Sequence, residues 1–206
     1  MAKDPVIIDT KQLDRLTIEL KGFTKEIGEA ACAALNRTID HVITQVGRIV
    51  PKEYAIKAKE VKESFSRGIK RPSASDMTAS VESRGHTLSF AHFPYTPKTP
   101  KKIKRSTFEN AVMVTIKKDK GKVLLRKGFV ASTGAKNPDK IQFNVFKRLG
   151  DKRLPIAPVR TLSIPQMITN EGISKQIQQS AQQKLDERLE HEIIYRITSV
   201  SKRIKR

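Results

Sequence analysis

Residues 141–167, IQFNVFKRLGDKRLPIAPVRTLSIPQM, set the tightest limit on how this chain can fold. The first part alternates. Ile141, Phe143, Val145 and Lys147 point one way, and Gln142, Asn144, Phe146 and Arg148 the other. That period of two predicts a strand with one greasier face. Gly150 and Asp151 then supply a turn. An extended run resumes at Arg153, and Pro155, Pro158 and Pro165 follow within eleven positions. Each proline removes a backbone donor, so the return cannot be an ordinary central strand. It reads either as a hairpin with a stiff connector or as an extended arm or edge segment leading into a helix after Pro165.

Helical spacing dominates both ends. Asp9 or Thr10 can cap a helix whose first stripe is Leu13, Leu16 and Leu20. Phe23, Ile27, Ala30, Ala34, Thr38, Val42 and Val46 continue it, with a bend allowed at Gly22 and an end before Pro51. Gly28, Ala30, Ala31, Ala33 and Ala34 are small enough to let another helix approach closely. A short helix over 57–66 is expected from Ala58, Val61 and Phe65. A second long helix over 172–204 carries Ile173, Ile177, Ala181, Leu185, Leu189, Ile193 and Ile197. A step of four drifts about 40° on a helix, so this stripe winds through roughly 240°. One flat partner cannot cover it, and the helix should meet different neighbours at its two ends, bend, or break.

Between the helices the pattern is extended and punctuated. Residues 67–80 read as a loop. Val81, Leu88, Phe90 and His92 suggest two strands around Gly85, before Pro94, Pro97 and Pro100 break the ladder. Val112, Val114 and Ile116 alternate cleanly as a strand over 108–118. A hairpin turn at 118–122 returns the chain as a strand from Val123 to Val130.

Charge is concentrated in this middle. The chain carries a net +20, and residues 51–160 hold twenty-six basic against nine acidic side chains. Such a field attracts polyanions and releases counterions on meeting phosphate, so DNA, another nucleic acid or an acidic protein surface would satisfy it. A merely lysine-rich soluble surface is the plainer alternative. Apolar residues make up 37% with no Trp, a lean core for 206 residues, which favours completing burial against neighbours. Cys32, the single cysteine, excludes an intrachain disulfide and reads as a small buried hydrophobe. No apolar run is long enough to span a membrane, and MAKDPVIIDT lacks the blocks of a signal peptide.

Catalytic and metal-binding patterns are not met. There is no Gly-rich phosphate loop, and His191 and Glu192 lack the second His of a zinc-protease helix. His86 and His92 have no Cys or placed carboxylate beside them. Ser199 and Lys202 match a Ser–x2–Lys spacing only at chance level. Asp186, Glu187, Glu190 and Glu192, beside Arg188 and Arg196, read as a solvated, ion-paired face. No catalysis and no cofactor are expected.

The arrangement VFKR–x4–RLPI–x5–LSIPQM resembles the phage minor tail protein Z family, the tail-completion proteins of long-tailed phages. AALNRTIDHVITQV, VPKEYAIKAKEVKESF, LSFAHFPYTPKTPKK and LLRKGFVAS fit the same picture in order, from Ala33 to Met167. The resemblance implies a structural virion component that completes the head-proximal end of a tail. It would pack as a closed ring, six-fold if it matches long tails, between tail terminator or tube and head connector proteins, with DNA a further possible contact. A sequence-nonspecific nucleic-acid-binding protein is the competing reading, although the basic stretches lack interleaved aromatics.

The expected fold is α+β: a central antiparallel β-sheet or small barrel flanked by long N- and C-terminal helices. Residues 1–66 would form a helical region, 67–160 a basic β-rich core and 161–206 the last helix. Candidate contacts to DNA or an acidic partner are Lys98, Lys101, Lys102, Lys104 and Arg105 on the proline-stiffened loop. Lys117, Lys118, Lys120 and Lys122 on the hairpin join them, as do Lys147, Arg148, Lys152 and Arg153 around the Gly150 turn. Candidate subunit or partner contacts are Leu154, Pro155, Ile156, Ile164, Pro165 and Met167, with Leu189, Ile193 and Ile197 on the last helix.

Overall fold

The computed structural model describes residues 6–7, 24–73, 76–102, 104, 109–137 and 139–204. The expected Leu13, Leu16 and Leu20 stripe and the bend at Gly22 lie outside them. Two long helices, α1 (Thr24–Glu53) and the C-terminal α4 (Glu171–Ile204), pack side by side in opposite directions. Three small antiparallel sheets are built from the chain between them, with one strand added from ahead of α1, and no barrel closes among the described residues. The fold is α+β, but one central sheet is replaced by three, because the strands pair within three separate groups and no ladder joins one group to the next among the described residues.

The first sheet joins β1 (Val6–Ile7), β3 (Ser80–Val81) and β2 (Ile69–Lys70), with β3 central. The second joins β4 (Tyr95–Thr96), β5 (Val112–Val114) and β6 (Val123–Leu125). The third joins β7 (Gly128–Ser132), β8 (Phe143–Arg148) and β9 (Ile156–Pro158). The proline-rich return is thus an edge strand: Arg148 pairs with Ile156 and Phe146 with Pro158. Beyond it, Leu88 exchanges backbone bonds with Thr161 and Leu162, at 2.8 and 3.1 Å. The strand expected near Leu88 therefore spends its donors on this arm and then tightens into a 3-10 turn over Phe90–His92. The single return strand from Val123 to Val130 is instead two strands in different sheets, broken at Arg126 and Lys127. Gly128 eases the corner, since a Cβ there would sit a tight 3.2 Å from both the Leu125 and Val145 side chains.

α1 runs through Pro51, not to a stop before it. The proline forfeits its own donor, yet Tyr54 N–H still reaches the Val50 carbonyl at 2.9 Å, so the last turn survives. The short helix α2 (Ala58–Glu63) and the following turn bury Val61 and Phe65. α3 (Ile164–Ile168) is opened by a reciprocal capping box between Ser163 and Gln166, with Pro165 in its first turn.

The winding stripe of α4 lies on one unbroken helix and falls into two clusters. Ile173, Ile177 and Ala181 enter the main core with Val46, Phe65, Val145 and Met167. Leu185 and Leu189 pack on the small residues Ala31 and Ala34, with Leu35. The small-residue run of α1 thus admits a helix; α1 contributes to both clusters, and residues of the sheets and α3 join it only around the first part of the stripe.

Candidate functional site

The basic side chains expected to meet a polyanion fall into three loops, and strand register says how these lie. The loop after β4 and the hairpin after β5 leave the second sheet at opposite ends. Thr96 pairs with Met113, and Val112 with Leu125, at the end carrying Lys98, Lys101 and Lys102. Val114 pairs with Val123 at the other end, which carries Lys118, Lys120 and Lys122. The Arg126–Lys127 turn leaves the first of these ends and enters the third sheet at Gly128, opposite Lys147. Lys147, Arg148, Lys152 and Arg153 crowd that end of the third sheet, around the β8–β9 turn. Two of the loops are therefore linked through Arg126 and Lys127, while the β5–β6 hairpin stands apart. Sequence reading misses Arg126 and Lys127 by placing them inside a strand. The signal available was Gly128 directly behind two consecutive long cations.

Not all of these charges are equally available. Lys98, Lys101, Lys102, Lys118, Lys120, Lys122, Lys147, Arg148, Lys152 and Arg153 are exposed. Lys104 pairs with Glu109 at 2.9 Å, and Arg105 lies outside the described residues. Lys117 is half-buried, its Nζ 5.4 Å from the Tyr54 ring centre. Its strand end is bound to α1, since Lys118 N–H donates to the Glu53 carbonyl at 2.8 Å. Lys98 lies 4.3 Å above Tyr95, and Arg148 lies 5.1 Å over Phe129 while donating to the Arg153 carbonyl. Those contacts orient the cations without neutralising them.

The apolar candidates separate sharply. Ile164, Met167 and Leu189 are 6%, 0% and 2% exposed and lie in the chain's own core. Ile156, Pro165, Ile193 and Ile197 are half-buried. Leu154 is 65% exposed and Pro155 is also exposed at the β8–β9 turn. Leu149, which sequence reading leaves unmarked, joins them at 61%.

A polar seam runs between the long helices. Arg196 reaches Glu29 at 2.6 Å, Arg37 reaches Glu192 at 3.2 Å, and His41 bonds Ser180 at 2.9 Å. Glu192 is only 5% exposed, so it is a buried ion-pair partner and not part of a solvated face. Asn36 and Asp40 both accept from Arg71, at 3.0 and 2.7 Å, which ties the first sheet to α1. Cys32 is half-buried, and burial is the main influence raising its thiol.

Burial, then the nearby Lys184 charge, holds His41 below the ordinary imidazole range; Arg48 and Arg188 push the same way and Glu187 opposes. The unfolded chain therefore takes up the proton first. Stability should fall as pH drops through the unfolded value, about 6.5, and level off below the folded one. Urea midpoints measured from about pH 8 to 5 should decline more steeply for the natural chain than for His41→Gln. Equal slopes would remove His41 from the pH response.

Among the described residues no group of three His, Cys, Asp or Glu side chains could hold a metal ion. His92 is instead bonded to Glu60 at 2.7 Å, joining the 3-10 turn to α2. No described helix is long and apolar enough to cross a membrane.

The family model for prophage minor tail protein Z matches residues 10–203, nearly the whole chain. The chain belongs to that family. It is accordingly a phage minor tail protein and a virion component, and the family suggests a non-enzymatic role among other virion proteins. No curated protein and no solved structure matches it.

Proposed function

We propose that this minor tail protein completes the head-proximal end of the tail as a ring between the tail terminator or tube and the head connector. The exposed cations at the linked ends of the second and third sheets carry that reading. Lys98, Lys101, Lys102, Lys147, Lys152 and Arg153 are solvent-facing and make no ion pair with another described residue. Like charges held together repel and destabilise the free protein, so their concentration makes sense where a polyanion or an acidic ring neutralises them. The paired helices supply the rigid body, and the β loops reach outward from it.

Two measurements test the reading. The mass of the isolated protein, alone and with a tail terminator, should show an assembly; a chain that neither rings nor binds any neck or tail protein would end the proposal. Filter binding of duplex DNA against salt then asks what the cations meet. If they meet phosphate, the log–log slope should be steep, and Lys101→Glu with Lys102→Glu and Arg153→Glu should flatten it by about 0.9 for each phosphate no longer neutralised. Little affinity at moderate salt would assign the charge to an acidic protein ring.

A further inference from the structure

The four most exposed large apolar side chains among the described residues form two pairs. Leu149 and Leu154, at 61% and 65%, flank the β8–β9 turn, with the Leu149 N–H bonded to the Pro155 carbonyl at 3.1 Å. Ile194 and Tyr195, at 58% and 63%, stand on the outer face of α4. Isolated exposed leucines need no explanation, but each pair here sits in charge of the opposite sign. Exposed Lys147, Arg148, Lys152 and Arg153 surround the first pair, against a single Asp151. Glu187, Glu190 and His191 share the helix face of the second, at the three- and four-residue spacings that align side chains. Glu187 is held by Lys184 at 2.9 Å, whereas Glu190 makes no ion pair with another described residue.

We infer that the β8–β9 turn of one copy docks on the Ile194–Tyr195 face of the next, so that copies join head to tail. Charge selects the occupant. In a chain of net +20 two copies repel unless a basic element finds an acidic one, and exposed Glu190, one helical turn before Ile194, places acid beside the most exposed apolar pair of α4. Position selects the geometry. The third sheet packs on the core shared with Ile173 and Ile177, and Ile194 lies about 25 Å further along the α4 axis. The described residues of one chain leave both pairs uncovered, and a second copy would supply the complementary surface to each. A contact between two different patches is heterologous and generates a ring when its rotation closes. This deepens the ring reading, on which it rests, by naming the surfaces that would build it.

The test uses the full-length chain in sedimentation velocity over a concentration series, with circular dichroism confirming the fold of each variant. The natural chain should self-associate. Leu149→Ser with Leu154→Ser, or Ile194→Ser with Tyr195→Ser, should each weaken association on the order of 100-fold without unfolding the chain. Mixing those two double variants leaves one intact turn and one intact face, so a 1:1 dimer and nothing larger should form. Glu190→Arg should weaken association, and adding Arg153→Glu should recover part of it. Undiminished rings from either double variant, or no dimer on mixing, would overturn the inference while leaving a ring built by other surfaces. A chain monomeric at every concentration would overturn it too. Retained binding to a tail terminator would then separate that failure from failure of the tail-protein reading. A turn variant that still rings but no longer binds the terminator would overturn it as well, placing the two leucines on that partner.

Discussion

Gly68→Ala should lower the unfolding free energy by about 3 kcal/mol. A Cβ built on Gly68 would sit 2.0 Å from the backbone oxygen of Glu82 and 2.9 Å from its carbonyl carbon. This neighbour is main chain, so it cannot rotate away as a side chain would. The segment is also held on both sides. Glu82 N–H donates to the Gly68 carbonyl at 2.8 Å, Arg84 N–H to the Ser64 carbonyl at 2.9 Å, and the Ser64 and Ser83 hydroxyls meet at 2.8 Å. Relieving the clash means parting the chain that leads into β2 from the chain that follows β3. For a protein of this length the midpoint should drop by about 2–4 °C per kcal/mol, or roughly 6–12 °C in all. A melting curve superposing on that of the natural chain would show that the two segments separate without cost.

Met167→Ala should cost about 3 kcal/mol, within the 2–5 kcal/mol spread for buried Met, Leu or Ile truncations. Met167 is 0% exposed, in the core cluster that also holds Ile164, Ile168, Ile173 and Ile177. It is where the short α3 seats beneath the start of α4, so a cavity there loosens the entry to the long helix. Leu154→Ala is the control: at 65% exposure it should move stability by no more than about 0.5 kcal/mol. Denaturant unfolding of the two variants side by side separates the roles. If Met167→Ala left stability intact and only broke assembly, its side chain would serve a neighbouring molecule instead.

These residues also mark where reading the chain succeeds and where it runs out. Pro165 announces a nearby helix by local chemistry alone, but that helix opens one residue ahead of it, on the capping box of Ser163 and Gln166. Met167 falls in one motif with exposed Leu154, and a motif carries no information about which side chains face inward. Gly68 reads in the sequence as loop punctuation; its real constraint is the Glu82 carbonyl fourteen positions away. The basic loops are legible as loops, since proline and glycine end strands wherever they stand. That two of them join through Arg126 and Lys127 is not, because it depends on the pairing of Val112 with Leu125 and of Gly128 with Lys147.

The sequence by itself determined the two long helices, the edge character of the proline-rich return and the positive middle, because periodicity, missing donors and charge are local properties. It also limited the α4 stripe to divided contacts, a bend or a break, which follows from helix geometry alone. Tertiary structure decided that the β region splits into three sheets, that Glu192 is buried against Arg37, and which leucines stay uncovered. Those outcomes depend on which distant segment supplies each backbone partner and each patch of burial. A register of neighbours along one chain does not contain that information.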